Sequence, residues 1–415
     1  MEKRPFNPRW LVVTPKRQIL WHRADDDEVW ALRPPNRYVV NAEQLPAIED
    51  NLEVISDMSG MSHYRPLSGR VNLAKAKILV ERVRDRGIGD LLFLTGPLSY
   101  LHHLSGGSCQ IFAHALSDRG SVLNGHPSLY EQTAYYGPLE YDQMANYSYH
   151  WLIDSVTEYN QEVDQLNVYD ALYTQLGLDP KDVSPRFKRP TAYVSVDDRK
   201  NLESLFYFIY KDHKLDLRKD KGYYVVAPLS VSVTRSANYE FWLKTIEALS
   251  KRRPVVVIGK VRHIIPSTDM EFGTFYQQLS KLGPNVINLM GDTPLRLTMA
   301  IIANSAALVC LDSGPLYMAQ ALRVPAVSVW GTHNPGVRLG YDQTYMDLAI
   351  WNSIACRSCP CFTYSGFPTN RCPQGDFQKV CSVLSSVSHN DVMEKIEKVE
   401  STLMSDIGTF KAANE

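Results

Sequence analysis

Residues 301–332, IIANSAALVCLDSGPLYMAQALRVPAVSVWGT, constrain the fold most, because they read as strand, small-residue turn, helix and strand in succession. Ala307 to Leu311 and Ala326 to Trp330 are short unbroken apolar runs, the pattern of parallel strands buried on both faces. Between them, Asp312-Ser313-Gly314-Pro315 opens a helix carrying Leu316, Met318, Ala319 and Leu322. Asp or Ser suits the cap, Pro315 the first helical turn, and Gly314 a close approach of ligand to backbone. The N–H groups of such a turn point outward and favour an anion. An ordinary strand-helix-strand crossover with a capped helix would show the same local pattern.

The pattern extends on both sides. Tyr223 to Pro228, Pro254 to Gly259 and Val286 to Leu289 read as further strands, with helices over Tyr239 to Leu249 and around Thr274 to Leu282. The alternation predicts a parallel sheet wound with right-handed crossovers and a ligand at the carboxyl ends of its strands. Upstream, Lys77 to Val83 gives a strand, Arg84 to Asp90 a glycine-bearing loop and Leu91 to Leu104 a helix. Before that, short strand-like runs at Trp10 to Val13, Gln18 to His22, Val29 to Leu32 and Tyr38 to Asn41 suggest a small β-rich addition. The charged stretch Lys211 to Lys221 reads as a linker.

Taken in order, Gly291-Asp-Thr-Pro-Leu, Ala300 to Leu311, the DSGP turn, Val324-Pro325 and Trp330-Gly331-Thr332 resemble the C-terminal half of the heptosyltransferase family, glycosyltransferase family nine. The resemblance continues through Cys359-Pro360-Cys361-Phe362, Cys372-Pro373, Cys381 and Asp391-Val392, and reaches Arg86-Gly87-Ile88-Gly89-Asp90 near the start of the first domain. Residues 1 to about 70 lie outside it. It implies α/β architecture of the GT-B type: two Rossmann-like domains facing a central cleft. The expected division is 1–70 for the β-rich addition, 71–215 for the acceptor domain, 216–390 for the nucleotide-sugar domain and 391–415 for a last helix and tail.

The activity so implied is inverting, metal-independent transfer of a hexosyl, heptosyl or pentosyl group from a nucleotide-sugar. That chemistry needs a base for the acceptor hydroxyl and fixed positive charge or dipoles for the departing diphosphate. Asp90, in a Gly87-x-Gly89-Asp90 turn, matches the residue regarded as the family's base; on its own sequence it reads more readily as a helix cap, and the resemblance reverses that. Arg235 sits near the position of a family lysine that contacts phosphate, and a guanidinium does so bidentately. Ser313 and Gly314 offer backbone N–H groups, Asp312 shapes the turn, and Thr332 stands at a strand end within reach of a phosphate or sugar hydroxyl. Two positions depart from the family pattern. Tyr317 replaces a histidine and becomes the candidate donor contact there, and Lys260-Val261-Arg262 replaces an acidic residue, so the donor pocket is altered.

Cys356, Cys359, Cys361, Cys372 and Cys381 cluster at spacings that admit one structural, tetrahedral Zn²⁺ or a loop packed with reduced thiols. No cofactor is required for catalysis; the nucleotide-sugar is a co-substrate. With 415 residues, 44% of them hydrophobic, and a net charge of −1, the composition fits a multidomain enzyme and argues against a chain built around polyanion binding. Neither a signal-length apolar run nor a membrane-span-length one occurs, and the expectation is a cytoplasmic protein. The expected partners are the donor and a glycan or lipopolysaccharide-core acceptor. The alternatives are a hydroxymethylated base in DNA, as in bacteriophage sugar transfer, and a non-catalytic nucleotide-sugar binding module. Aromatics such as Tyr135, Tyr136, Tyr147, Tyr149 and Trp151 fit core packing or an acceptor platform.

Overall fold

The structure is a computed structural model. It describes residues 10–16, 19–22, 29–32, 38–41, 52–57, 73–82, 87–115, 118–136, 147, 149–153, 166–176, 178–218, 222–230, 235–260, 272–331, 333–352 and 382–412. The chain forms two compact units, Met1–Ser155 with Leu172–Val183, and Val156–Ala171 with Ser184–Glu415.

In the first unit, β1 (Trp10–Pro15), β2 (Ile19–His22), β3 (Val29–Leu32) and β4 (Tyr38–Asn41) lie at the strand-like runs of the sequence. A further strand, β5 (Leu52–Asp57), was not anticipated. β4, β1 and β5 form an antiparallel sheet, and β2 pairs with β3. The stretch 61–69, where the sequence places the end of this addition, lies outside the described residues.

The rest of the unit is a four-stranded sheet of β6 (Lys77–Arg82), β7 (Gln110–Ala115), β8 (Leu129–Tyr136) and β9 (Tyr149–Ile153), ordered β8-β7-β6-β9 with every pair parallel. Its first helix, α1 (Ile88–Leu104), starts three residues earlier than expected, so Asp90 lies in the first helical turn rather than in a loop. Every residue from Leu91 to Leu98 is buried, so the middle of the helix is buried on all sides, while His103 and Leu104 at its end are exposed. Of the residues considered for an acceptor platform, Tyr147 packs edge-on against Phe112 with ring centroids 5.1 Å apart, and the side chains of Tyr135, Tyr136, Tyr149 and Trp151 lie outside the description.

The second unit follows a short helix, α2 (Val168–Gln175), whose residues are divided between the two units. The next helix, α3 (Val196–His213), takes in the start of the expected linker: Lys211 to His213 form its last turn, and Lys214 ends it in left-handed conformation with φ 58°. Then come β10 (Tyr224–Ala227), α4 (Tyr239–Ser250), β11 (Val255–Val257), α5 (Phe272–Leu279), β12 (Val286–Asn288), α6 (Leu295–Ala303), β13 (Ala307–Leu311), α7 (Gly314–Leu322) and β14 (Ala326–Val329). The short helices α8 (Pro335–Leu339) and α9 (Gln343–Asp347) precede β15 (Ala349–Ile350), and α10 (Ser382–Ser385) and α11 (His389–Ala412) end the described chain.

These strands make a six-stranded parallel sheet in the order β12-β11-β10-β13-β14-β15. Chain order therefore runs outward from β10 in one direction through β12, returns across the sheet, and resumes in the other direction from β13. This is the doubly wound order, and it opens a crevice between the carboxyl ends of β10 and β13. Every residue of β10, β11, β13 and β14 is buried, which accounts for their unbroken apolar runs. Trp242, Ile246 and Leu249 of α4 and Val392, Ile396 and Val399 of α11 enter the same core. Among the described residues no helix is long and apolar enough to cross a membrane.

The joint between α3 and α6 is polar. Ser195 Oγ accepts from the Asp198 N–H at 3.1 Å while the Asp198 carboxylate accepts from the Ser195 N–H at 2.8 Å, a reciprocal helix cap. Arg296 grips the same carboxylate through Nη2 and, at 3.3 Å, Nε, and donates to the Tyr193 carbonyl at 2.9 Å. Burial opposes ionisation of Asp198, but Arg296 and the Ser195 hydrogen bonds prevail and hold its pKa below the usual value. Asp198→Ala removes cap and ion pair together and is expected to lower unfolding stability by about 2 kcal/mol in urea titrations. An unchanged midpoint would refute this account of the joint.

Candidate active site

The crevice at the switch point brings together loops from three strands of the second unit. Arg235 follows β10, Asp312 follows β13, and His333 follows β14. The Arg235 Nη1 donates to the Asp312 carbonyl at 3.3 Å and lies 4.0 Å from Asp312 Oδ2; His333 Nδ1 lies 3.9 Å from the same oxygen. The phenol of Tyr317, one turn into α7, donates to Asp312 Oδ1. Asp312 is almost wholly buried, at 1% exposure, and its Oδ2 has no hydrogen-bond partner. Arg235 Nε is likewise buried and unpartnered.

A carboxylate so deeply buried would resist ionisation, yet the charges of Arg338 and Arg235 and the Tyr317 hydrogen bond hold its pKa below the usual range. Burial drives His333 the other way: desolvation, with Arg338 and Arg235 adding to it, outweighs Asp312 and lowers its pKa to about 3. His333 is therefore neutral at pH 7. With two guanidiniums against one carboxylate, the cluster carries net positive charge, and the α7 N-terminus adds its dipole. Ser313 stands at the cap of α7 but makes no side-chain bond to the first-turn N–H groups. Its hydroxyl instead donates to the Leu311 carbonyl at 3.3 Å, a correction to the capping role expected from sequence.

Asp312 also departs from expectation. Instead of only shaping a turn it is the buried negative centre around which Arg235, Tyr317 and His333 are arranged. Tyr317, expected as a donor contact, is itself 2% exposed and donates its hydroxyl to Asp312. Gly314 is the first residue of α7 and half-buried. Thr332 and the cluster Cys356, Cys359, Cys361, Cys372 and Cys381 lie outside the described residues. Among the described ones, no group of three or more His, Cys, Asp or Glu side chains could hold a metal ion.

His333 and Arg338 escaped the sequence reading. The signals were present: His333 directly follows Trp330-Gly331-Thr332, and Asn334-Pro335 is a helix-start pair that places Arg338 on a short helix. Asn334 Oδ1 accepts from the Gly336 N–H at 2.9 Å, and Pro335 opens α8. The segment is pinned from outside. The Trp351 indole N–H donates to the Gly331 carbonyl at 3.1 Å, and Asn167 Nδ2 donates to the Gly336 carbonyl at 3.1 Å. Beyond α8, Tyr341 donates to Asp170 at 2.8 Å, and the buried Lys188 Nζ reaches Asp170 at 2.9 Å and the Tyr341 oxygen at 3.0 Å.

The neutral state of His333, which is half-buried, sets a pH dependence. Its folded pKa of about 3 lies below the ordinary 6.5, so as pH falls below about 6.5 the unfolded chain takes up a proton that the folded one refuses. Stability should decline from there until the folded pKa is reached. His333→Gln is expected to flatten the urea midpoint between about pH 6.5 and 4; an unaltered slope would contradict the burial described.

In the first unit, Gly87 caps α1 in extended conformation and Asp90, half-buried, turns back over it. A Cβ on Gly87 would stand 2.7 Å from Asp90 Oδ2, so only glycine leaves the carboxylate in this place. Gly89 is buried within the first turn. Asp90 stands beyond the carboxyl end of β6, where the order of that sheet also reverses, between β6 and β9. A cavity of 490 Å³ lies at the other edge of the same sheet, by the first residues of β7 and β8, lined in part by His102, Cys109, Gln110, Ser128, Tyr130 and Glu131. It is remote from Asp90 along the strands, and strand-end chemistry gives it no part in the site.

Residues 186–363 match the family model described as glycosyltransferase family 9 (heptosyltransferase), a span somewhat short of half the chain. A comparison with curated proteins returns no match. Among solved structures, a family 9 glycosyl transferase from Veillonella parvula DSM 2008 is similar over 79% of this chain and 98% of its own, with TM-score 0.55 and 14% identity. The ADP-heptose lipopolysaccharide heptosyltransferase II of E. coli is similar over 78% and 98%, with TM-score 0.52 and 14% identity. The iron-containing dodecameric glycosyltransferase TibC from enterotoxigenic E. coli H10407 is similar over 96% and 93%, with TM-score 0.54 and 13% identity. The fold is therefore that of the GT-B heptosyltransferases, as the resemblance implied. The TibC match covers 96% of this chain and so takes in part of residues 1–70.

Proposed function

We propose that this chain, whose residues 186–363 match the glycosyltransferase family 9 model, is an inverting glycosyltransferase that moves a sugar from a nucleotide diphosphate to a hydroxyl of a lipopolysaccharide-core or related glycan. The observation that carries the reading is the convergence of Arg235, Arg338, neutral His333 and the uncapped start of α7 on the crevice between β10 and β13. That is a net positive, largely water-excluded place at which a diphosphate leaving group gains most from fixed charge. Arg235 and the backbone N–H groups of Ser313 and Gly314 take the phosphates. Asp312, buried behind them, shapes the turn and holds Arg235 and His333 at the crevice. Thr332, next to His333 in sequence, is assigned a contact with a phosphate or sugar hydroxyl.

The bond changes follow. Asp90 removes the acceptor O–H proton, the oxygen attacks the anomeric carbon from the face opposite the diphosphate, and the anomeric C–O bond breaks with its electron pair going to the nucleotide. Residues 71–215 serve as the acceptor domain, 216–390 as the nucleotide-sugar domain and 391–415 as a closing helix and tail, with 1–70 a β-rich addition. The positive cluster supplies the charge compensation that a divalent ion would otherwise provide, so chelation with EDTA is expected to leave turnover unchanged. Thiolates of Cys356, Cys359, Cys361, Cys372 and Cys381, if they hold an ion, fill its coordination and make it structural. TibC is described as iron-containing, and metal analysis of the purified protein for both iron and zinc separates a bound ion from reduced thiols. The reaction is assigned to the cytoplasm, the compartment of nucleotide-activated sugars.

TibC has been solved with ADP-D-β-D-heptose, which makes ADP-heptose the first donor to try. A panel of ADP-, UDP- and GDP-sugars should identify the donor by thermal stabilisation, since a ligand at about 100 times its Kd adds about 2.7 kcal/mol to the folded state. Arg235→Ala and Gly314→Val are each expected to weaken that donor about tenfold or more in calorimetry, the first by losing a charged contact and the second by blocking approach to the helix start. Unchanged affinity in both variants would remove the proposed site. The acceptor is then found by offering enzyme and donor truncated lipopolysaccharide cores, unmodified DNA and hydroxymethylated DNA and weighing the products. Sugar on the core supports the reading; sugar on hydroxymethylated DNA alone overturns the acceptor, and stabilisation by nucleotide-sugars without transfer to anything leaves a binding module.

A further inference from the structure

Among the described residues, eight large apolar or aromatic side chains stand exposed, and five of them, Tyr193, Val196, Tyr207, Phe208 and Tyr210, fall on α3 and the three residues before it. The helix has a clear inner face. Asp198, Leu202, Phe206 and Ile209 are buried at spacings of four, four and three. The opposite face, running through Val196, Lys200, Glu203, Tyr207, Tyr210 and Lys211, is where a surface helix ordinarily carries only polar groups. Tyr207 and Phe208 are each 58% exposed and meet edge to face with ring centroids 5.9 Å apart. Aromatics held in place but left uncovered mark an interaction surface rather than core that failed to bury.

Charge along the helix says what kind of partner fits. On this face Lys200 and Lys211 are matched by Glu203 and by Asp197, which borders it and pairs with Lys200, so the face has no net sign to draw it to an anionic lipid or a polyanion. The arrangement is self-complementary instead. If two copies of α3 cross antiparallel about a two-fold axis at Tyr207, residues equally far on either side of Tyr207 oppose each other. Glu203 of one copy then faces Lys211 of the other, and the reverse, with the two Tyr207 rings packed at the centre. Beyond them Lys200 faces Lys214 at the end of the second helix, a like-charge approach offset by Asp197, which pairs with Lys200 of its own helix at 3.1 Å.

We propose that the outer face of α3 is an isologous interface on which a second copy of this chain docks, centred on Tyr207 and registered by reciprocal Glu203–Lys211 pairs. An 18-residue helix is about 27 Å long, so the contact is at the small end of specific interfaces and gives a weak, concentration-dependent dimer. The inference is independent of the proposed chemistry, because its readout is mass and not transfer.

The test is sedimentation equilibrium of the full chain from about 1 to 300 µM, the range in which an association of micromolar strength is visible. Wild type should pass from monomer to dimer. Tyr207→Asp should abolish the dimer; Glu203→Lys or Lys211→Glu alone sets like charges opposite each other and should weaken it about tenfold or more. The double variant Glu203→Lys with Lys211→Glu recreates the pairs with signs exchanged and should restore association to within about threefold of wild type, which general damage to the helix would not do. Circular dichroism melts confirm that each variant folds. A wild type that stays monomeric, a dimer untouched by Glu203→Lys, or a double variant no better than the singles overturns the proposal. So does a monomer that binds phosphatidylglycerol vesicles through Tyr207, which assigns the patch to lipid.

Discussion

Asp90→Asn should lower turnover by about 10²–10⁴-fold while donor affinity stays within about twofold of wild type, because the change removes a proton acceptor and no charge from the donor pocket. The geometry sharpens the test. Asp90 lies in the first turn of α1 and folds over Gly87, a placement that would also serve a carboxylate whose only work is to satisfy a helix start. A cap loses stability when neutralised, a base loses rate. Stopped-flow turnover and urea unfolding on the same variant therefore separate the two roles. A loss of about 1 kcal/mol in stability with near-normal turnover would make Asp90 a cap and end its assignment as base.

The largest effect on stability is expected at Asp312. Asp312→Ala leaves Arg235, Arg338 and the Tyr317 hydroxyl around a buried site with no counter-charge, and the removal of one partner from such a site costs about 3–5 kcal/mol. Asp312→Asn keeps the shape and an acceptor for Tyr317 and should cost less. The same carboxylate sets an acid limit. Its folded pKa is below the ordinary value of about 3.9, so its contribution is complete above that value and is lost as pH falls through the folded pKa. In the Asp312→Asn variant this last segment of the acid transition should disappear. If Asp312→Ala unfolds at the wild-type urea midpoint and binds donor normally, the buried cluster is not what organises the crevice.

Several of these residues were readable in advance and several were not. Asp312, Ser313 and Gly314 stood out because a strand ending in Asp-Ser-Gly-Pro before an apolar helix is a local pattern. Asp90 stood out for the glycines around it. His333 and Arg338 carry no such mark. A histidine after a strand and an arginine on a five-residue helix acquire meaning only once β14 is seen to lie beside β13, with α8 held at Asn167, Trp351 and Tyr341. The boundaries behaved likewise: α1 began three residues early because Gly87, in extended conformation, could cap it, and α3 ran to His213 because Lys214 accepted a left-handed end.

Unbroken valine and leucine runs by themselves determine that the second unit is a parallel sheet, since only burial on both faces tolerates them, and the helix periods between them determine that crossovers cover it. The alternation of strand and helix is a local property, set by side chains within a few residues of one another. Only the tertiary structure decided that the chain returns across the sheet after β12, so that Arg235 and Asp312, 77 residues apart, meet at 3.3 Å. It also decided that Asp312 is buried yet ionised, that His333 is half-buried and neutral, and that Tyr317 faces inward to hold a carboxylate. Charge state and burial depend on neighbours contributed by distant strands, and the periodicity of one segment carries no information about which strand will lie next to it.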